Sequence, residues 1–262
     1  MLVSPDWLIP QWPAPKRVHA VCTTRAGGLS ASPYDSLNLG DHVGDSPEAV
    51  TANRARLHQV IGAQPVFLSQ VHGTHLTELS LNTTQGTQAD ASLTGQTHIA
   101  CTIMVADCLP VLFTDASGCW VAAAHAGWRS LAGHGGPGVL EVVVERFKAL
   151  APVHNEPAAA SILAWLGPCI GPQAFEVGDD VRDAFVTQDQ AAHAMFTSKP
   201  GGKWLADLQG LARLRLAALG VTQIYGNDGS PFWCTVSHPS RFFSYRRDGI
   251  SGRMAACIWL DD

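Results

Sequence analysis

The sequence predicts an α+β (mixed α/β) protein, a single domain in which helices cover mixed sheets. Three observations predict it. Short runs rich in Val, Ile, Ala and aromatic residues end in Gly, Pro or Asp, as strands do. Three helix-like segments lie among them. The order of the two kinds shows no regular βαβ repeat, which argues against a doubly wound sheet. No internal repeat, low-complexity stretch or linker interrupts the 262 residues. Pro152–Ala160 reads only as a short loop. One domain over residues 1–262 is expected, with residues 1–17 as an extended, Pro-rich surface segment.

The elements follow in order. Val18–Thr24 is the first expected strand. Ser46 then supplies an N-cap, Pro47 a first-turn proline and Gly62 a stop, which frames a helix over Pro47–Ile61. Strands are expected at Pro65–Val71, Ile99–Ala106, Pro110–Thr114 and Trp120–His125. Leu140, Val143, Val144 and Phe147 make one apolar stripe of a helix over Pro137–Leu150. Ile162–Leu166 is a further strand. A third helix covers Leu205–Leu219 and stops at Gly220, and Met254–Leu260 is the last strand.

Composition narrows the function. The chain has 17 Lys and Arg against 22 Asp and Glu, a net charge of −5. Only 15% of residues are charged, against a usual ~25%. A chain this poor in charge lacks the basic face of a nucleic-acid binder. No apolar run approaches the ~18 residues of a membrane helix. The first residues lack the basic and apolar regions of a signal peptide. The seven cysteines include no CxxC pair. Cys22, Cys101, Cys119 and Cys257 sit in apolar strings and read as buried, reduced thiols of a cytoplasmic protein.

Three segments carry candidate chemistry: SQVHGTH, VADCLP and AAHAGWR. Each places a ligand type, His72, Cys108 or His125, where an apolar strand gives way to a turn. Two imidazoles and a thiolate suit zinc, with a fourth position left for water or substrate. The spacings match no short zinc signature, so buried, hydrogen-bonded side chains are the plainer reading. Cys108 with His125 also permits a nucleophile–base dyad. Copper is a third option, because His₂Cys with a distant Met is a blue-copper set. Met104, four residues before Cys108 on a strand, lies ~13 Å away on that geometry, too far to share a metal.

A second pattern suggests anion binding. Arg25 precedes two glycines in TTRAGG, and Arg246, Arg247 and Arg253 lie among glycines in YRRDGISGR. Gly-rich loops expose backbone N–H groups, and Arg offers a planar fork to phosphate. Arg129 adds a further cation beside His125. Pairing of these arginines with Asp35, Asp41 or Asp248 is the competing explanation. Cys169, in GPCIG, reads as a loop-packing thiol, and Glu176 as an Arg partner or a base.

QVHG, ADCLPV, HAGWR, GPCIG, EVGDDV and YRRDG-x-SGR, in this order, resemble the bacterial YfiH-type proteins. These carry two descriptions, multicopper polyphenol oxidoreductases (laccases) and purine nucleoside phosphorylases. The likeness continues through TTRAGGLS and PYDSLNLGDHVGD and spans about residues 18–260. It implies a four-layer αββα sandwich with a metal, generally zinc, on His72, Cys108 and His125. It implies phosphorolysis of adenosine, inosine and methylthioadenosine to a free base and ribose 1-phosphate, with adenosine deamination beside it. Ser130 replaces the family's usual Gly after HAGWR, and Phe175 replaces the Tyr of YEVG. ADASLT and the GHGG around His134 depart from the usual pattern as well.

The expected roles follow. Arg25 and Arg247 hold phosphate, with Arg129 beside the metal. Zinc on His72, Cys108 and His125 polarises substrate or holds a water. Asp107, next to a ligand, is a candidate acid/base or outer partner, although strand alternation turns it away from Cys108. Gln70 contacts substrate or orders His72. The expected partners are a purine nucleoside and phosphate, with no nucleic acid or membrane, on a monomer. Three other readings stand beside this one: a cysteine hydrolase or amidase acting on a peptidoglycan precursor with Cys108 as nucleophile, a copper polyphenol oxidase, and a non-catalytic metal- or nucleoside-binding protein.

Overall fold

The structure is a computed structural model that describes residues 6–150 and 161–262. The loop expected at Pro152–Ala160 lies outside the described residues.

Two sheets form the centre. The first contains β1 (Val18–Cys22), β2 (Gln64–Phe67), β5 (Ile99–Val105) and β13 (Met254–Leu260), in the order β1-β13-β5-β2. β1 and β5 flank β13 antiparallel, and β2 runs parallel to β5. The second contains β3 (Leu76–Glu78), β4 (Ala91–Thr94), β6 (Leu109–Asp115), β7 (Val121–Ala126), β8 (Ile162–Leu166) and β12 (Gln223–Gly226). Its order is β12-β8-β6-β7-β4-β3, and it mixes parallel and antiparallel pairs. Every residue of β5, β7 and β13 is buried, as strands covered on both faces require.

Side-chain alternation builds the layers. Cys101, Ile103 and Val105 of β5, with Met254, Ala256 and Ile258 of β13, pack against Leu112, Val121, Ala123 and Trp165 of the second sheet. The opposite face of the first sheet, Ala100, Met104, Ala255, Cys257 and Trp259, takes Leu57 and Ile61 of α1 (Pro47–Ile61). The opposite face of the second, Val111, Phe113, Ala122 and Ala124, takes α3 (Val139–Leu150) and α5 (Leu208–Ala218). The result is the αββα order that the resemblance implied. Smaller helices α2 (Trp128–Ala132), α4 (Asp179–Val186) and α6 (Tyr245–Asp248), short 3-10 helices at Gln190–Met195 and Pro231–Trp233, and a three-stranded antiparallel sheet of β9 (Glu176–Val177), β10 (Phe196–Lys199) and β11 (Lys203–Ala206), complete the described elements.

Helix α1 matches its expected span because its ends are locally encoded. The Ser46 hydroxyl accepts from the Ala49 N–H, and Gly62, at φ 71°, returns its N–H to the His58 carbonyl. The other two helices start later than expected. Leu205 and Ala206 belong to β11, and Asp207 caps α5 by accepting from the Gly210 N–H at 2.7 Å. Pro137 and Gly138 are spent on the approach to α3, where Gly138 packs on the Leu131 carbonyl with no room for a side chain. Cys22, Cys101 and Cys257 are buried as expected, and burial raises each thiol, to about 12 for Cys101 and Cys257. Cys119 differs. It is exposed, because the chain turns at Ala116–Gly118 and β7 begins only at Val121.

Candidate metal centre and substrate cavity

Strand register gathers the site. On β7 the inter-sheet face carries Val121 and Ala123, and alternation puts His125 on that same face, at the end of the strand. Leu109 pairs with Ala126 across β6 and β7, so Cys108, one residue earlier, lies opposite Gly127. Cys108 occupies the turn where the chain leaves β5 of one sheet and enters β6 of the other. His72 arrives on the loop after β2, in a left-handed conformation at φ 59°. The ligand atoms of His72, Cys108 and His125 all lie within 4.8 Å of one another. The His72 Nε2 to Cys108 Sγ distance is 3.7 Å, and the two imidazoles meet edge to face at 4.7 Å.

Asp90, whose role no spacing in the sequence marks, organises this group. Ala91 pairs with Ala124 across β4 and β7, so Asp90 falls beside His125. Its Oδ1 lies 2.8 Å from His125 Nδ1 and accepts the His72 N–H at 2.9 Å. Its Oδ2 accepts the N–H groups of Val71 at 3.1 Å and Gly73 at 2.7 Å. One fully buried carboxylate thus aims His125 Nε2 at the group and fixes the loop that carries His72. Burial raises the Asp90 pKa, but the bonds and charge of His125 and the loop N–H groups outweigh it and hold the carboxylate below its ordinary range.

The electrostatics favour a thiolate. Burial opposes charge on Cys108, yet the His125 charge and hydrogen bonds from both imidazoles bring its pKa down to about 6. Burial likewise opposes charge on His125, while Cys108 and Asp90 raise it to about 9. Anionic sulfur between two nitrogens is the donor set that zinc takes. Gly127 leaves the space: a Cβ there would sit 2.9 Å from His72 Cδ2 and 3.0 Å from Cys108 Sγ. The residues therefore fit a single small metal ion. Among the described residues this is the one group of His, Cys, Asp and Glu placed to hold a metal. Met104 does not add a copper-type axial ligand, since its sulfur contacts the Arg54 guanidinium at 3.8 Å.

The group opens into a cavity of about 520 Å³ whose charged lining is three arginines against one carboxylate, Asp107. Arg129, Arg246, Arg253 and His42 line it, together with the rings of Trp128, Phe175 and Tyr245. Arg129 lies against the Trp128 ring, 4.3 Å from its centroid. Arg253 commits Nη1 to the Ser251 and Gly252 carbonyls, and Arg246 commits Nη1 to the Glu176 carbonyl, which leaves each guanidinium further donors.

Two expected phosphate ligands lie elsewhere. Arg25 donates to the Asp35 carbonyl and carboxylate and to the Pro239 carbonyl, and stacks on Phe243. Arg247 is tied to both oxygens of Asp248 and to the carbonyls of Thr235, Val236 and Phe242. Neither lines the cavity, and both hold loops instead. Asp107 does line it, at φ 99°, but its Oδ1 accepts from the Thr235 hydroxyl at 2.6 Å and its Oδ2 from the Arg246 N–H at 2.7 Å. Gln70 pairs its amide with both backbone groups of Met104, each at 2.8 Å, and so clamps the His72 loop to β5. Glu176 pairs with Lys199, and the Cys169 thiol is buried against Asn227 and Gln209. Strand pairing, which no local spacing encodes, hid Asp90. The GDHVGD string carrying His42 was visible, without a cue to its use.

Residues 19–261 match the family described as multi-copper polyphenol oxidoreductase laccase. The chain is 49% identical over 257 residues to a purine nucleoside phosphorylase of Pseudomonas aeruginosa, covering 98% of this chain and 99% of that one. It is 49% identical over 255 residues to the Escherichia coli purine nucleoside phosphorylase YfiH, covering 97% and 98%. Among solved structures, a Neisseria meningitidis protein of the DUF152 family superposes with a TM-score of 0.89 at 48% identity, covering 98% of this chain and all (100%) of that one. YlmD from Geobacillus stearothermophilus superposes with a TM-score of 0.85 at 29% identity, covering 100% and 98%. No helix among the described residues is long and apolar enough to cross a membrane.

Proposed function

The chain belongs to the multi-copper polyphenol oxidoreductase laccase family, and on that premise we propose that it is a zinc-dependent purine nucleoside phosphorylase. One observation carries this reading: the His72–Cys108–His125 group opens into a cavity with three arginines and no free carboxylate. A phosphate dianion and an apolar, planar base are the ligands such a lining suits. The relatives named purine nucleoside phosphorylase support the same substrate class.

The roles follow from position. Arg246, Arg253 and Arg129 hold phosphate through forked donors, in place of Arg25 and Arg247. Trp128, Phe175 and Tyr245 offer ring faces to the purine. His72, Cys108 and His125 would hold a zinc ion, which would supply Lewis acidity to a bound substrate. Asp90 keeps His125 in the tautomer that turns Nε2 toward that position. Gln70 and Asp107 are positioning residues, the first for the His72 loop and the second for α6. Adenosine, inosine and methylthioadenosine are the proposed nucleosides, and deamination of adenosine is a side reaction of the same site.

Incubation of the zinc-assayed protein with adenosine, with and without phosphate, tests this. Adenine and ribose 1-phosphate that form only with phosphate are the expected products. Inosine formed without phosphate reports the deaminase activity. No product from any of the three nucleosides on zinc-loaded protein overturns the reading.

The lowered Cys108 pKa and the Cys108–His125–Asp90 alignment favour one second reading, a cysteine hydrolase. It requires activity that survives a chelator and a covalent adduct on Cys108. The phosphorylase reading requires loss of activity with the metal.

A further inference from the structure

We propose that His42, which lines the same cavity as the metal group, is the catalytic residue that carries the proton between phosphate and the departing purine. This rests on the phosphorylase reading. Phosphorolysis must place a proton on the leaving base and must remove one from hydrogen phosphate as the ester forms. The other polar groups lining the cavity are either spent or unsuited to carrying a proton. Gln70 holds Met104 by both ends of its amide. Both Asp107 oxygens accept hydrogen bonds from the protein. His72, Cys108 and His125 converge on one another. A guanidinium does not release its proton in a protein, and the Tyr245 phenol is a poorer proton carrier at neutral pH than an imidazole. His42 remains.

Its setting suits the task. His42 Nδ1 lies 3.5 Å from Asp41 Oδ1. Asp41 Oδ2 is held in turn by Arg54 Nη1 at 3.0 Å. Arg54 is itself anchored by the Leu39 carbonyl at 2.9 Å and by the Phe67 ring, 4.0 Å from the guanidinium. The carboxylate therefore orients the imidazole through one nitrogen. No hydrogen bond among the described residues occupies the other, Nε2, on a side chain that lines the cavity rim. The charged groups facing the ring are Asp41 on its own loop, Arg54 of α1 and Arg253 ahead of β13. Burial and the Arg253 and Arg54 charges lower the imidazole pKa, against the opposing pull of Asp41. A phosphate dianion seated on Arg253 offsets that positive charge, so phosphate binding favours protonated His42.

The step balances as follows. The bond from C1′ to purine N9 breaks and its electron pair goes to the purine. The Nε2 proton moves to purine N7. A phosphate oxygen bonds to C1′, and the proton of hydrogen phosphate returns to His42. No external acid or base is consumed.

The test compares inosine with 7-methylinosine, whose cationic base leaves without N7 protonation. It uses zinc-loaded wild type, His42→Gln and Asp41→Asn, with zinc content measured on each. His42→Gln is expected to lose inosine phosphorolysis by about 100-fold or more, to keep 7-methylinosine phosphorolysis within a few-fold, and to bind one zinc as wild type does. Asp41→Asn is expected to move the pH profile for inosine while leaving that for 7-methylinosine as in the wild type. Equal losses on both nucleosides, or wild-type inosine rates in His42→Gln, overturn the proposal and leave the phosphorylase reading standing. Failure of the wild type on both nucleosides overturns that reading and the proposal with it.

Discussion

At the scale of single residues, the site makes sharp demands. Cys108→Ala removes the one anionic donor of the metal group. The expected result is loss of bound zinc, read by metal analysis, and of nearly all turnover; wild-type rates would refute the metal assignment. Asp90→Asn keeps the shape but weakens the orienting of His125 and the grip on three loop N–H groups. Zinc affinity should fall about 10- to 100-fold, measured by competition with a chromogenic chelator. Thiol reactivity gives a pH test. With its pKa lowered to about 6, Cys108 of metal-free protein is thiolate above that pH and thiol below it. Alkylation followed by mass spectrometry should therefore rise through pH 6 and level off near neutrality. In His125→Asn the rise should move up toward the ordinary thiol range, because the partner that favours the thiolate is gone. The buried thiols Cys22, Cys101 and Cys257, each raised by burial, should stay unmodified across this range.

Elements were legible in proportion to how locally they are encoded. α1 declares its own ends through Ser46, Pro47 and Gly62, and β8 and β13 are continuous apolar runs, so their spans could be read from the text. The short strands β3, β4 and β9 through β12 could not, since each exists through its pairing partner rather than its composition. The site divides the same way. His72, Cys108 and His125 stood out as soft ligands at turns. Asp90 became visible only through the β4–β7 register, and the full occupation of Arg25 and Arg247 only through distant carbonyls. α1 also carries a polar pin. The fully buried Asn53 accepts from the Leu29 N–H and donates to Ser30 Oγ and to the Ser36 and Asn38 carbonyls. It fixes the loop that runs on to Asp41 and His42. Asn53→Ala strands these groups and should cost about 1–3 kcal/mol in urea unfolding. A larger drop in turnover than in stability would mark its effect on that loop.

For the whole molecule, metal and fold are linked by mass action. An ion that binds only the folded chain stabilises it by about 2.7 kcal/mol at a free concentration near 100 times Kd. Zinc should therefore raise the thermal midpoint of the wild type by several degrees, and leave Cys108→Ala unmoved, in a scan by differential scanning fluorimetry. Gly127→Ala separates site from scaffold. Its Cβ would crowd His72 and Cys108, so zinc should be lost while the metal-free midpoint stays close to that of the metal-free wild type.

The order of the first sheet has a consequence for the chain during synthesis. β13 lies between β1 and β5, so two strands made early wait for one made last. Until residues 254–260 emerge, β1 and β5 each present an unpaired, apolar rim, which is a ready template for another chain. A chain stopped at residue 253 should accumulate as sedimenting aggregate instead of a soluble, metal-poor protein. Supplying the missing strand as a peptide during refolding should return part of it to the supernatant.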